Sequence, residues 1–200
     1  MQKSLFLTQL ENKYEILLAS RSERRKQIMS ALGVNYKIID WQDIDETAPT
    51  TLDAIETAKY IANKKAEAYY PFINDHQLVI ACDTIVFHDQ KIIGKPKDRQ
   101  QAKEYLLLLS GSMHTVISGV ALMTTQQRKI FEAQTKVWFD KLTEEEIDYY
   151  IDNYKPYDKA GAYGVQEWIG MVGCSKIEGS YFNIMGMPIQ LIYKELHNFI

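Results

Sequence analysis

The spacing of apolar residues changes several times along this chain. Glu15-Ile16-Leu17-Leu18-Ala19 is the first strand-like run. Ser22 stands where a helix N-cap belongs, Ile28, Met29 and Leu32 share one face of the helix that follows, and Gly33 takes the position after its last turn. Residues 36–39 read as a second strand and the polar residues 40–50 as a loop. Ile55, Ala58, Ile61, Ala62 and Ala66 recur at helical spacing between residues 52 and 69. Residues 78–87 form an almost unbroken apolar run, the pattern of a central strand covered on both faces. Asp98-Arg99-Gln100-Gln101 and Thr143-Glu144-Glu145-Glu146 have the form of capping boxes. The first opens a helix that buries Ala102, Tyr105, Leu106 and Leu109; the second opens one with Ile147, Tyr150, Ile151 and Tyr154. Between them, residues 115–123 and 130–139 predict a hairpin. The glycine-punctuated residues 161–186 predict loops and short strands, and Pro188 opens a last helix carrying Ile189, Ile192, Tyr193 and Leu196. Strands and helices intermixed in this way predict an α/β fold with a mixed sheet.

Composition narrows the class. At 200 residues, 46% hydrophobic and 24% charged, the chain suits one domain, or one domain with two lobes, and excludes wholesale disorder. Its 23 basic and 26 acidic residues leave a net charge of −3, which argues against binding a nucleic-acid polymer by overall attraction but permits a local basic pocket. Two distant cysteines, Cys82 and Cys174, can build neither a disulfide scaffold nor a four-cysteine zinc site, so a reducing cytoplasm is the simplest compartment. Leu5-Phe6-Leu7 is too short for a signal peptide, and no stretch approaches the roughly 20 apolar residues that span a bilayer.

Four places carry candidate chemistry. Ser20-Arg21-Ser22-Glu23-Arg24-Arg25 puts hydroxyls and arginines at a strand-to-helix turn, where positive charge is unfavourable beside the helix N-terminus unless an anion compensates. An exposed helix start with solvated arginines is the plainer alternative. Asp83 interrupts a buried strand and needs a cation, a metal or water; there it could take a proton, or simply cap a turn or pair with a lysine. Lys65 lies on a helix beside Ala62 and Ala66, and Lys95 is held between Gly94 and Pro96, although either lysine taken alone reads as solvent-facing. Asp158-Lys159-Ala160-Gly161-Ala162-Tyr163-Gly164-Val165-Gln166 offers small residues and an amide suited to a base edge, or equally a tight structural loop. The scattered histidines, His76, His88, His114 and His197, form no metal-binding spacing, and the tyrosines at 149, 150, 154 and 157 read as helix packing.

In order along the chain, Ala19-Ser20-Arg21-Ser22-Glu23-Arg24-Arg25, Ile61-Ala62-Asn63-Lys64-Lys65-Ala66, Cys82-Asp83-Thr84, Gly94-Lys95-Pro96, Leu109-Ser110-Gly111, the 158–166 motif and the late Gly-Ser-Tyr-x-Asn-x-x-Gly-x-Pro of residues 179–188 resemble the Maf (septum formation inhibitor) family of nucleoside triphosphate pyrophosphatases. The resemblance implies a single Maf-like domain over residues 1–200, with an elongated mixed sheet flanked by helices and two lobes around a cleft, as in inosine triphosphate pyrophosphatases. It implies cleavage between the α and β phosphates with a divalent cation, Mg²⁺, Mn²⁺ or Co²⁺. Asp83 would accept the proton from water near the metal. Lys65 and Lys95 would act with it in catalysis, and Ser20, Ser22, Arg25 and Lys159 would bind substrate. Arg24, Thr84 and Gln166 match positions used to choose the base, and Glu46, with Asp45, matches an acidic loop that assists the metal.

The Ala-Tyr-Gly-x-Gln form resembles the branch that cleaves dTTP and UTP. A 7-methyl-GTP or other modified-nucleotide pyrophosphatase, and a nucleotide-binding regulator of cell division without turnover, are the alternatives. A small-molecule triphosphate, a homodimer, no nucleic-acid polymer and no membrane are the partners implied. Glu23 stands where the family has proline, and unless it turns towards Arg21 or solvent it would repel a phosphate.

Overall fold

The computed structural model describes residues 4–39 and 44–200. In chain order these form α1 (Leu5–Lys13), β1 (Glu15–Leu18), α2 (Glu23–Leu32), β2 (Tyr36–Ile38), α3 (Ala54–Glu67), β3 (Gln77–His88), β4 (Lys91–Ile93), α4 (Arg99–Leu109), β5 (Met113–Met123), β6 (Arg128–Phe139), α5 (Glu144–Tyr154), α6 (Trp168–Gly173), β7 (Cys174–Glu178), α7 (Tyr181–Ile184) and α8 (Ile189–Leu196), with short 3₁₀ turns between some of them. Among the described residues the strands make one seven-stranded sheet in the order β2-β1-β3-β5-β6-β7, with β4 paired to β3. The sheet is mixed: β1 runs parallel to β2 and β3, whereas β4 and β7 pair antiparallel with β3 and β6. The expected α/β fold with a mixed sheet is the observed one.

The chain forms two compact units. The first comprises Met1–Asp83, Ser118–Ala133 and Gly186–Ile200, and the second Thr84–Ile117 and Gln134–Met185. Each takes part of the long strands β3, β5 and β6.

In the first unit, β1-α2-β2 and β2-α3-β3 are parallel crossovers. Gly33 closes α2 in the left-handed region at φ 81°, where an L side chain would be strained. Ser22 does sit at the N-cap of α2, but its side chain makes no capping bond; its N–H instead donates to Ser20 Oγ at 3.2 Å. The first residues of the expected 40–50 loop lie outside the described ones, and 44–49 carry no regular structure. A reciprocal capping box, Asp53 with Glu56, starts α3, which buries Ala54, Ala58, Ile61, Ala62 and Ala66. α1 was not legible as a helix: the sequence reading saw only its apolar patch, of which Leu7 is buried together with Leu10.

In the second unit, His88 and Lys91 pair across a two-residue turn, Asp89-Gln90, with both φ values positive. α4 begins at Asp98, whose carboxylate accepts from Gln101 N at 2.8 Å. The expected reciprocal half is absent: Gln101 Oε1 accepts from Lys97 N instead. The Thr143–Glu146 box is complete. Ile147, Tyr150 and Ile151 of α5 are buried, whereas Tyr154 is partly exposed. Residues 161–186 hold the short strand β7, as expected there, and also two short helices, α6 and α7, which the glycines gave no sign of. One core cluster joins Val86, Leu106, Val137, Phe139, Ile147, Tyr150, Tyr163 and Ile169.

Candidate active site

Three elements of the first unit bring sequence-predicted residues together. Asp83 is on β3, Lys65 on α3, and Ser20 and Arg25 flank the turn from β1 into α2. Lys65 is 6% exposed, yet its ammonium is fully charge-paired. Nζ lies 2.7 Å from Asp83 Oδ1 and 2.9 Å from Glu46 Oε2. A buried ammonium without such partners would be costly, so this pairing lets a lysine occupy an alanine-rich helix face. Asp45, next to Glu46, reaches Lys64 at 3.5 Å and is itself exposed.

Arg25 joins the turn to the strand. Its Nε donates to Gly186 O at 2.7 Å, and its Nη1 donates to Cys82 O at 2.8 Å and to Ser20 Oγ at 3.4 Å. The carbonyl it grips on Cys82 precedes Asp83 directly. Cys82 is buried, and burial pushes its thiol up to about 11 against the opposing pull of Arg25 and Lys65. Of the two expected escapes, Glu23 takes solvent: its side chain is exposed and pairs with Lys26 at 2.6 Å. Arg24 and Ser22 are partly buried at the same turn.

The second unit assembles the remaining motifs. Gly161 N donates to Gly94 O at 3.0 Å, so the loop bearing Lys95 lies against the 158–166 loop. Lys95 is exposed and Pro96 beside it is buried. Thr84 follows Asp83 in β3 and is partly buried. Lys159 is 7% exposed, with Nζ 2.8 Å from Asp158 Oδ1 and 3.1 Å from Glu167 Oε1. Gly161 and Ala162 both hold left-handed φ values, 69° and 58°. Gln166 Oε1 is buried with no hydrogen-bond partner among the described residues.

Sequence reading missed Glu167 and gave Tyr150 no role beyond packing. Tyr150 OH donates to Glu167 Oε2 and accepts from Gly164 N at 3.0 Å. Burial, first, and then the bond to Glu167 hold the Tyr150 phenol above its usual range. Tyr163 OH meets His114 Nε2 at 2.7 Å. Burial and the neighbouring His88 push the His114 imidazole down to about 3. The histidines scattered along the sequence thus include two that interact in the core.

Other matched motifs are structural. Ser110 Oγ accepts from Leu142 N at 2.7 Å, and Gly111 follows at φ 68°. Asn183 is buried and donates to Val116 O and Thr135 Oγ1, both at 3.1 Å.

The family model described as Maf-like protein matches residues 15–199. The chain belongs to the Maf family. Maf relatives cover nearly the whole of it. It is 52% identical over 185 residues to a Bacteroides thetaiotaomicron protein named dTTP/UTP pyrophosphatase, covering 92% of this chain and 96% of that one. A protein of the same name from Parabacteroides distasonis is 47% identical over 192 residues, 95% of this chain and 100% of its own. Among solved structures, a HAM1 protein from Coxiella burnetii matches with a TM-score of 0.43 and 17% identity, over 63% of this chain and 73% of that chain.

Among the described residues no helix is long and apolar enough to cross a membrane, and no group of three or more His, Cys, Asp or Glu gathers to hold a metal.

Proposed function

We propose that this Maf protein hydrolyses dTTP and UTP to the nucleoside monophosphate and pyrophosphate, with Asp83 as the proton acceptor. The observation that carries the reaction class is the buried Lys65 held between Asp83 and Glu46. The substrates follow from relatives about half identical along their length.

In the reaction, a water oxygen bonds to phosphorus while the bridging P–O bond breaks. Its electron pair leaves with pyrophosphate, and the water's proton passes to the Asp83 carboxylate. The ammonium of Lys65, 2.7 Å from Oδ1, holds the Asp83 carboxylate in place for this role. Oδ1 of Asp83 is taken by Lys65, and Oδ2 receives no hydrogen bond from the described residues. Ser20 and Ser22 at the α2 turn suit the anionic tail of a nucleotide, since an α-helix N-terminus favours negative charge; Arg25 joins them on its motif, and Arg24 enters on its motif at the base. Lys95, Lys159, Thr84 and Gln166 enter this reading on their motifs, Lys95 in catalysis and the others in substrate binding.

The donors present fit a hard divalent cation. Asp83 and Glu46 offer carboxylate oxygens, and Mg²⁺ is commonly held by one or two carboxylates plus substrate phosphates. When bound, such a cation would neutralise charge on the triphosphate and on the departing pyrophosphate. Mg²⁺, Mn²⁺ and Co²⁺ are the ions to compare. A homodimer belongs to the same reading, and sedimentation tests it.

Asp83→Asn should lower pyrophosphate release by about 10²–10⁴-fold, with the far-UV spectrum and cooperative melting retained. Undiminished turnover in the folded variant would remove Asp83 from the reaction. The same assay across dTTP, UTP and 7-methyl-GTP separates the substrates, and tight binding without product would point instead to a regulator.

A further inference from the structure

The loop carrying Gln166 is fixed by groups outside the sequence motifs. Tyr150, on α5, is fully buried. Its hydroxyl donates to one oxygen of Glu167 and accepts the Gly164 N–H, while the other oxygen of Glu167 takes Lys159 Nζ at 3.1 Å. A phenol, a carboxylate and an ammonium therefore tie positions 159, 164 and 167 together. Between the first two ties, Gly161 and Ala162 stay left-handed. An alanine keeps that conformation only where its surroundings over-determine it.

Gly164 shows how close the fit is. A Cβ there would come within 2.8 Å of Glu167 Cδ and 2.9 Å of Gln166 Nε2. The ends of both side chains thus share the bare face of one glycine, and Glu167 limits where the Gln166 amide can lie. Oε1 of that amide is buried without a partner among the described residues, a costly state for an acceptor that no ligand uses. Tyr150, Glu167 and Lys159 satisfy one another, so Lys159 enters substrate binding through the loop it holds and not by touching the nucleotide.

We propose that Tyr150, Glu167 and Lys159 form a positioning clamp that presents the Gln166 amide to the nucleotide base and so sets which triphosphate is accepted. This rests on the reading above, in which Gln166 helps select the substrate. A base contact made equally in the ground and transition states alters KM and leaves kcat alone. Loosening the clamp should therefore weaken discrimination without slowing the chemical step.

The test measures pyrophosphate release from dTTP, UTP and 7-methyl-GTP by wild type, Y150F, E167Q, Q166A and the pairs Y150F/Q166A and E167Q/Q166A, each checked for folding by circular dichroism and melting. Y150F and E167Q should raise KM for dTTP and UTP about tenfold, with kcat within about twofold of wild type. Because both act through Gln166, each pair should be no worse than Q166A alone. Wild-type KM values in folded Y150F and E167Q, an equal fall in kcat, or additive losses in the pairs would overturn the clamp. If Y150F does not fold, E167Q and its pair decide by the same criteria. Absence of turnover by the wild-type protein on every nucleotide would retire the proposed activity and the clamp with it. Turnover with unaltered variants would retire the clamp alone.

Discussion

The guanidinium of Arg25 is committed to the protein's own backbone: Gly186 O and Cys82 O each take one of its nitrogens. A lysine has one ammonium and cannot reproduce that fork. Arg25→Lys should cost about 1–3 kcal/mol through the carbonyl left unpaired, read by urea unfolding. His114 gives a second outcome. Its pKa, pushed down to about 3 in the folded state, lies below the value it regains on unfolding. As pH falls from about 6.5, the unfolded chain takes a proton that the folded one refuses, so stability drops by up to about 1.4 kcal/mol per pH unit. The loss should be visible between pH 6.5 and 5, above the range where Asp148, held below its usual value by Lys103 and then Arg99, and Asp152, held below its own by Arg99, begin to protonate. A His114→Gln variant should flatten that slope in denaturation curves. Asp83 was legible as an individual residue because a carboxylate interrupts an apolar run, and the Ser20–Arg25 turn because arginines crowd a helix start; Lys65, which taken alone reads as solvent-facing, is instead buried, and Arg25 spends its guanidinium on backbone carbonyls, contacts that only the folded chain reveals. Tyr150 and Glu167 were not legible in this way. Their partners lie 14 and 17 residues apart in sequence, and no local period announces such a pair.

At the level of elements, α3 can carry Lys65 to Asp83 only because β5 has no side chain at Gly119. A Cβ there would fall 2.1 Å from Ala58 O and 2.6 Å from Lys59 N, both backbone atoms of α3. The helix would have to move, since rigid backbone cannot yield as a side-chain tip can. Gly119→Ala should destabilise the protein by about 1–3 kcal/mol, and it should lower pyrophosphate release beyond what the stability loss explains. Thermal melts and assays on the same preparation check both. The sequence reading saw Gly119 only as one position of a strand, since a packing demand made by a partner 61 residues away leaves no local mark. Elements with their own start and stop signals were well anticipated: α2 ends at Gly33, and α5 starts at a complete capping box. α1 has only two buried residues, too few for a helical period to stand out. In residues 161–186 the glycines suggested loops, but Gly170 and Gly173 lie within α6. Gly170 is required there by the Val165 carbonyl, which would fall 1.9 Å from its Cβ.

Taken whole, the chain passes between its two units four times, so neither is a continuous piece of sequence. The hydrophobic spacing of β3, β5 and β6 is that of ordinary strands and carries no mark that each serves both units. The mixed sheet was foreseeable from alternating strand and helix patterns; its order was not, because neighbours such as β3 and β5 are chosen by long-range packing. The carboxylates add a prediction at this scale. Asp83 and Glu46 are already paired with Lys65 in the nucleotide-free protein, so in the proposed reaction the cation should arrive with the triphosphate. EDTA should therefore stop pyrophosphate release, and added Mg²⁺ restore it, without moving the melting temperature of the nucleotide-free protein. The sealed sulfur of Cys82 has a practical consequence. A maleimide offered to the native protein finds that thiol both covered and protonated, whereas Cys174 on β7 is partly open. A fluorophore or spin probe can thus be attached at one chosen strand without mutagenesis and without chemically altering the residue beside Asp83.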